Sequence, residues 1–253
     1  MRPALRLLAL PLVLALAAPL THARSPQVPE VLHLNVSPQG YPPYTIVREN
    51  EPASGIVWDV VSLIGDRLGF KVEAHQIPRK RVDAMIMAGT LDATPRAREW
   101  SDDPDSFLFT KPIVAVREVF FSLAGNPFQY QAPEDLKGYT VVGHLGYRYP
   151  RIEPMLASGA ATRINVSRDI DLFTFLLNGN FNDVAVADRT VGQWIIRENG
   201  WQGQFNYSEA SISDIGLRLM IRPDYTEFVE AFDRELEALL DSGEIEQILD
   251  HYR

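Results

Sequence analysis

The stretch YTVVGHLGYRYPRIEPMLASGAATRINVSRDIDLFTFLLNGNFNDVAVADRTVGQWIIRENG, residues 139–200, alternates short β-branched segments with longer helical ones. Three segments have the length and composition of strands, at 139–143, 162–166 and 184–187. Each precedes a segment of helical character, at 151–157, 170–177 and 189–199. Gly179 and Gly200 stand where helices commonly stop. This order predicts parallel strands connected by helical crossovers, which is an α/β architecture.

The beginning of the chain shows the same alternation. Residues 31–36 alternate apolar and polar side chains, which is typical of a strand, and a Pro- and Gly-rich turn follows them. Apolar residues then recur at helical spacing over 57–68. A strand over 71–77 and a helix over 81–88 come next. Because each α/β unit has its own set of apolar residues, we expect two lobes rather than one large sheet.

Two long apolar segments, 113–123 and 213–221, separate the units and exceed what a strand inside one lobe needs. If both cross between the lobes, lobe one comprises 24–115 and 216–253, and lobe two comprises 116–215. Helices over 225–240 and 245–252 would then pack on lobe one. Two crossing strands form a hinge, and the crevice that the hinge opens is where a small ligand would bind.

The composition excludes several classes of protein. The 253 residues include no Cys and carry a formal net charge of -9. Disulfides, thiolate nucleophiles and Cys-ligated zinc are therefore impossible, and the acidic balance disfavours nucleic-acid binding. No phosphate loop, Gly-x-Ser-x-Gly motif or helical pair of metal-binding histidines occurs. We expect no metal and no cofactor.

The first 23 residues have the features of a secretory signal peptide. Arg2 and Arg6 precede an apolar run over 7–18, and Ala23 offers a small residue at the cleavage position. The apolar run is shorter than the roughly 20 residues that cross a bilayer. We therefore expect export and cleavage near Ala23, to the periplasm in a Gram-negative host. An uncleaved membrane anchor is the alternative.

Several short motifs occur in a specific order along nearly the whole chain after residue 31. They are GYPPY at 40–44, GIVWDV at 55–60, GTLDA at 89–93, FTKP at 109–112, DLKGYTV at 135–141, NDVAVAD at 182–188 and SGEI at 242–245. Together they resemble the periplasmic solute-binding proteins of family 3, the receptors for polar amino acids. The resemblance implies a type II-like periplasmic-binding-protein fold, with two α/β lobes joined by two crossing strands.

The resemblance also implies a function. Such a receptor captures a small polar solute, an amino acid or a related carboxylate, and delivers it to an inner-membrane ABC permease. We expect a monomeric binding protein rather than an enzyme. Two alternatives remain open: a dehydratase-like enzyme on the same scaffold, for which His144 is the one candidate acid or base, and a receptor that docks on a membrane sensor.

Three parts of the ligand site follow from the resemblance. Tyr41 matches the aromatic platform for the ligand side chain, with Tyr44 nearby. Asp188, at the end of a predicted strand, matches the carboxylate that binds the ligand's ammonium group; its alternative role is a helix N-cap. The loop after residue 143 would present backbone N–H groups and side chains to the ligand carboxylate; its candidate residues are Gly146, Tyr147 and Arg148.

The arginine that would bind the ligand carboxylate is ambiguous. In the family, a Thr-x-x-Arg motif stands some distance after the Asp that Asp92 matches. Here the segment TPRAREW follows Asp92 almost at once. Arg96 and Arg98 are both candidates for a bidentate fork, with a slight preference for Arg96. Arg81 matches the arginine of a Pro-Trp-x-Arg segment found in one branch. A solvated, structural arginine is the alternative in each case.

Overall fold

A computed structural model describes residues 28–252. The expected signal peptide, 1–23, lies outside the described residues. No helix between residues 28 and 252 is both long enough and apolar enough to cross a bilayer.

Ten strands and seven helices alternate along the described chain. The strands are β1 (Val31–Asn35), β2 (Lys71–His75), β3 (Ala93–Ala97), β4 (Leu108–Phe109), β5 (Val114–Leu123), β6 (Thr140–His144), β7 (Thr162–Val166), β8 (Asp183–Asp188), β9 (Phe205–Tyr207) and β10 (Ser213–Ile221). The helices are α1 (Ile56–Leu68), α2 (Arg79–Met87), α3 (Glu153–Ala157), α4 (Asp169–Asn178), α5 (Arg189–Glu198), α6 (Thr226–Ser242) and α7 (Glu244–Tyr252). The α/β alternation predicted from the sequence is confirmed.

The strands form one hydrogen-bonded sheet in the order β2-β1-β3-β10-β5-β8-β6-β7, with β4 on β10 and β9 on β5. The strands of each α/β unit run parallel, β2-β1-β3 at one end and β8-β6-β7 at the other. Antiparallel pairing of β5 and β10 joins these two parallel groups.

The crossing strands change partners along their length. Residues 114–118 of β5 pair with 213–217 of β10. β10 then continues along β3 over 217–221, whereas β5 continues along β8 over 118–121. The sheet is therefore divided at β5 and β10 into a first lobe with β1–β4 and a second lobe with β6–β9. The exact residue limits of the lobes stay a prediction.

Strand β3 has no counterpart in the sequence patterns above. Its sequence is ATPRA, with Pro95 and Arg96 where an apolar alternation is expected. β10 pairs with β3 along its whole length, whereas β1 pairs with it only at Ala93. A proline is tolerated in a strand that lacks one neighbour. The chain is extended here because it pairs with the distant β10, not because its own residues favour a strand.

Each lobe has its own apolar cluster, and α5 of the second lobe also packs on the first-lobe cluster through Val191. In the first lobe, α1, α6 and α7 pack on the strands through fully buried side chains that include Val60, Ile64, Phe228 and Phe232. The second lobe buries residues on both faces of β5 and β8, with Phe120 and Val184 on one side and Phe121 and Phe173 on the other. Burial of these side chains from water stabilises both lobes.

Tyr252, the last residue of α7, fixes the start of α1. Its hydroxyl accepts a hydrogen bond from the buried N–H of Gly55 (2.9 Å) and donates one to Asp59 Oδ2 (2.6 Å). Gly55 caps α1 without a side chain, so Tyr252 satisfies a backbone donor that has no partner within the helix. Burial raises the pKa of Asp59, and the bond from Tyr252 partly offsets this effect.

We expect Tyr252→Phe to lower the free energy of unfolding by about 1–3 kcal/mol, because the buried N–H of Gly55 then lacks an acceptor. Urea unfolding measures the change. Tyr130→Phe is the matched control, since the Tyr130 hydroxyl is buried and bonds to no atom of residues 28–252. Its removal should leave stability unchanged or raise it. Equal losses in the two variants would contradict this account.

Candidate functional site

A small cavity lies between the two lobes beside the crossing strand β5. Its volume is about 20 Å³, which is room for roughly one water molecule, so the lobes are closed over it. Its walls come from the first lobe, from β5 and from the second lobe: Tyr41, Trp100, Val116, Glu118, His144, Tyr147, Tyr149, Asp169, Val186, Ala187, Asp188 and Val191. A wider groove of about 540 Å³ lies beside α4, but residues of the second lobe alone line it, so it does not respond to closure.

Asp188 connects the cavity to both lobes. It ends the fully buried strand β8 and caps α5, where its Oδ1 accepts from the N–H of Val191 (2.9 Å). The Tyr44 hydroxyl of the first lobe donates to the same oxygen (2.8 Å), and the N–H of Arg117 donates to Oδ2 (2.8 Å). Burial nevertheless raises the pKa of Asp188, because these bonds only partly replace lost hydration. The N-cap role and a place at the cavity are therefore compatible.

The first lobe contributes an aromatic wall to the cavity. Tyr41 lies edge-on to Trp100, with ring centroids 6.4 Å apart, and 5.3 Å from the ring of Tyr44. Tyr41 and Trp100 line the cavity directly. Tyr44 is fully buried and reaches the cavity only through its hydrogen bond to Asp188.

The loop after β6 supplies the opposite aromatic wall. Gly146 adopts a positive φ of 83°, and the turn places Tyr147 against His144, with centroids 4.4 Å apart. The Tyr149 hydroxyl accepts from the N–H of His144 (3.0 Å), which holds the loop on the strand end. Burial of its hydroxyl, together with the nearby carboxylate of Asp169, raises the pKa of Tyr147 to about 12.

Two acidic residues of the cavity were missed by the sequence reasoning. Glu118 lies on β5 and accepts a hydrogen bond from Ser213 Oγ (2.7 Å). Asp169 is the first residue of α4 and follows the end of β7 after Ser167 and Arg168, whereas Asp188 is both the last residue of β8 and the N-cap of α5. Burial raises the pKa of both carboxyls, and the nearby His144 partly offsets this at Asp169. The rule that selected Asp188, an acid at the end of a strand, does not select Asp169; Glu118 stands out as a charge within a largely apolar strand.

The two arginines proposed to bind a carboxylate are engaged elsewhere. Arg96 is buried on β3 and donates to Asp83 Oδ1 (2.6 Å); burial lowers its pKa, and Asp83 offsets part of this effect. Arg98 pairs with Asp105 and lies over the Phe109 ring, 5.3 Å from its centroid. Neither arginine is among the residues that line the cavity.

The remaining candidates are exposed. Arg81 lies in the first turn of α2, and Gly146 and Arg148 lie in the loop after β6, all three outside the cavity wall. The structure thus brings together Tyr41, Tyr147 and Asp188, with Tyr44 behind them. Contact of any of these residues with a ligand stays a prediction.

One group of side chains could offer ligands to a metal ion. His33 Nδ1 and His75 Nε2 lie 2.9 Å apart, and the Glu73 carboxylate lies 3.9 Å and 3.6 Å from these nitrogens. The parallel register of β1 and β2 places all three on one face. This group could not be recognised from the sequence, because His33 and His75 lie 42 positions apart. Imidazole and carboxylate are ligands that transition-metal dications accept.

We expect the stability cost of Tyr44→Phe to depend on pH. Because the pKa of Asp188 is raised above 3.8, its charged form is costly at neutral pH, and that cost disappears as the pH falls through the raised pKa. Removing the Tyr44 donor should cost about 1.5–3 kcal/mol at pH 7 and less once Asp188 is protonated.

Urea unfolding of Tyr44→Phe at several pH values between 4 and 8 measures this dependence. Tyr41→Phe is the control, since its hydroxyl is not a hydrogen-bond donor to Asp188. A loss that stays constant over the whole pH range would show that the hydrogen bond to Asp188 is not its cause.

Comparison with solved structures supports the two-lobed fold. An ancestral arginine-binding protein bound to arginine superposes with a TM-score of 0.67 at 19% identity, covering 88% of this chain and 98% of that one. The ancestral cationic amino acid solute-binding protein AncCDT-1 gives 0.73 at 16% identity, covering 88% and 95%. The amino acid ABC transporter substrate-binding protein AbpA from Streptococcus pneumoniae, bound to L-arginine, gives 0.67 at 18%, covering 88% and 94%.

These identities are low, so the likeness shows the fold, and it confirms the two-lobed periplasmic-binding-protein architecture. No individually curated protein matches the sequence. The family model for bacterial extracellular solute-binding proteins, family 3, matches residues 34–253, which is most of the chain. The chain therefore belongs to the bacterial extracellular solute-binding proteins of family 3.

Proposed function

We propose that this protein is an exported receptor that closes on one small polar solute of the amino-acid class and delivers it to an ABC importer. The observation that carries the proposal is the cavity between the lobes, whose walls come from both lobes and from a crossing strand. A site built in this way exists as a unit only when the lobes close. Ligand binding would therefore be coupled to closure.

The relatives support the solute class. The structures with the same fold include proteins described as bound to arginine or to glutamine, and one described as part of an amino acid ABC transporter. One histidine kinase sensor domain also shares the fold, with a TM-score of 0.67 at 21% identity. Transport and sensing would use the same closed form. We favour transport because the chain belongs to a solute-binding family and because structures with the same fold include receptors of amino acid ABC transporters.

The proposed roles of the residues follow from their positions. The ring of Tyr41 offers a flat apolar surface to the ligand, and that of Tyr147 faces it from the second lobe. Asp188 offers a charge-assisted acceptor to an ammonium group. The N–H groups of Arg117 and Val191, which belong to the same lobe, would hold Asp188 in place when the lobes separate, and the bond from Tyr44 would form on closure.

Closure would take place about the crossing strands. β5 and β10 are the connections at which strand pairing passes from one lobe to the other. A cavity of about 20 Å³ cannot admit a solute of amino-acid size, so the lobes must separate for entry. Because the ligand needs more room than this cavity offers, the lobes would lie further apart around it than they do here, and its contacts with both lobes would stabilise that form.

Residues 1–23 support export. With a positive start, a short apolar run and Ala23 at the cleavage position, they would direct the chain across the inner membrane and be removed. The mature protein would then meet its solute in the periplasm of a Gram-negative host, where an importer receives it.

Isothermal calorimetry against amino acids and their decarboxylated amines tests the proposal. We expect one ligand per protein molecule for at least one compound. Asp188→Asn should weaken binding of that compound by about thirtyfold, since about 2 kcal/mol follows from the loss of a charge-assisted hydrogen bond. Tyr41→Ala should weaken it by about tenfold through the loss of the aromatic surface.

Asp66→Asn serves as the matched control, because Asp66 is exposed on α1 and lies outside the cavity. Its affinity should equal that of the unmodified protein. Chromatography of the same samples checks for chemical conversion of the ligand, which would favour a dehydratase-like enzyme with His144 as its acid or base. Unchanged affinity in both cavity variants, or binding of none of the compounds, would contradict the proposed site.

A further inference from the structure

Three carboxylates line the cavity, and no Lys or Arg of residues 28–252 does; His144 is the one residue of the wall that can carry a positive charge. Glu118 comes from β5, Asp169 from the start of α4 and Asp188 from the end of β8. A receptor that binds the carboxylate of a free amino acid needs a cation in its site, usually an arginine fork. The wall of this cavity provides the opposite charge.

The three carboxylates differ in how well the protein satisfies them. Asp188 accepts three hydrogen bonds and Glu118 accepts one, from Ser213. Asp169 accepts no hydrogen bond from any residue between 28 and 252, and the one charged group that influences it noticeably is His144. An incompletely paired carboxylate in a partly dehydrated site is costly, and a ligand cation would remove that cost.

The aromatic rings of the cavity suit a cation as well. Tyr41 and Trp100 form one wall, and Tyr147 and Tyr149 form the other. The faces of such rings carry partial negative charge, so they attract ammonium and guanidinium groups, most strongly where water is excluded. Rings and carboxylates in one enclosed space are therefore complementary to an organic cation.

The nearby arginines are not placed to reverse this charge. Arg96 and Arg98 pair with Asp83 and Asp105, outside the cavity. Arg79 is exposed and donates to the Trp100 carbonyl (2.7 Å), and its charge makes only a minor, lowering contribution to the pKa of Tyr147.

We propose that the solute is a small organic cation, an amine or guanidine, which Glu118, Asp169 and the aromatic walls hold and which needs no carboxylate group for recognition. This inference rests on the proposed receptor function and narrows its ligand class. A ligand carboxylate would have to enter a space already lined by three acids, which Coulomb repulsion opposes. The decarboxylated amine keeps the favourable contacts and lacks that repulsion.

Paired ligands that differ by one carboxylate test the inference directly. Calorimetry compares agmatine with arginine, cadaverine with lysine and histamine with histidine. In the pair that binds most tightly, we expect the amine to bind at least tenfold tighter than the amino acid, as one unfavourable charge contact of about 1.4 kcal/mol implies. Tighter binding of the amino acids, or equal binding, would overturn the inference but leave the receptor function intact. Absence of binding by every compound would overturn both.

Substitutions then locate the cation. Asp169→Asn and Glu118→Gln should each weaken binding of the amine by about tenfold or more, since each removes a charged acceptor. Asp171→Asn is the matched control on the same helix, because Asp171 pairs with Arg168 outside the cavity. Thermal unfolding of each variant confirms that it is folded. If the two cavity variants bind the amine as tightly as the control does, the assignment is wrong.

Discussion

The buried carboxylate of Asp188 is the interaction on which the arrangement of this protein depends. It ends β8, caps α5, receives the backbone N–H of Arg117 from a crossing strand and receives the Tyr44 hydroxyl from the first lobe. A single side chain thus joins a parallel strand, a helix start, the hinge region and the opposite lobe. The hydrogen bonds explain how a charge can be buried here, and the raised pKa shows that they do not compensate for its lost hydration fully.

The crossing strands β5 and β10 connect the two lobes that together form the cavity at Asp188. β10 pairs with strands of the first lobe, β5 pairs with strands of the second, and the two pair with each other, so a small change of twist along them could move the lobes apart. The cavity walls are then assembled from two rigid bodies and one connecting strand. In the function proposed here, recognition and closure would be one event, and an importer would distinguish the loaded receptor from the empty one by the relative position of its lobes.

Much of the fold could be predicted from the sequence, because the alternation of strand and helix patterns is local. The crossing strands were found from their unusual length, and Asp188 from its place at the end of a parallel strand. β3 was missed because Pro95 and Arg96 conceal a strand whose place depends on pairing with the distant β10. The family resemblance suggested Arg96 as a partner of a ligand carboxylate, whereas the structure pairs it with Asp83. Glu118 on β5 and Asp169 on α4 lie far apart in the sequence, so no local pattern indicates that they share a site.

The central claim is that a single solute lies between the lobes, against Tyr41 on one side and the carboxylates on the other. A crystal structure of the protein with its tightest-binding amine tests it most directly. The account predicts a ligand nitrogen at about 3 Å from a carboxylate oxygen of Asp169 or Glu118, with an aromatic ring from each lobe in contact. A ligand bound elsewhere, for example in the groove beside α4, would contradict it.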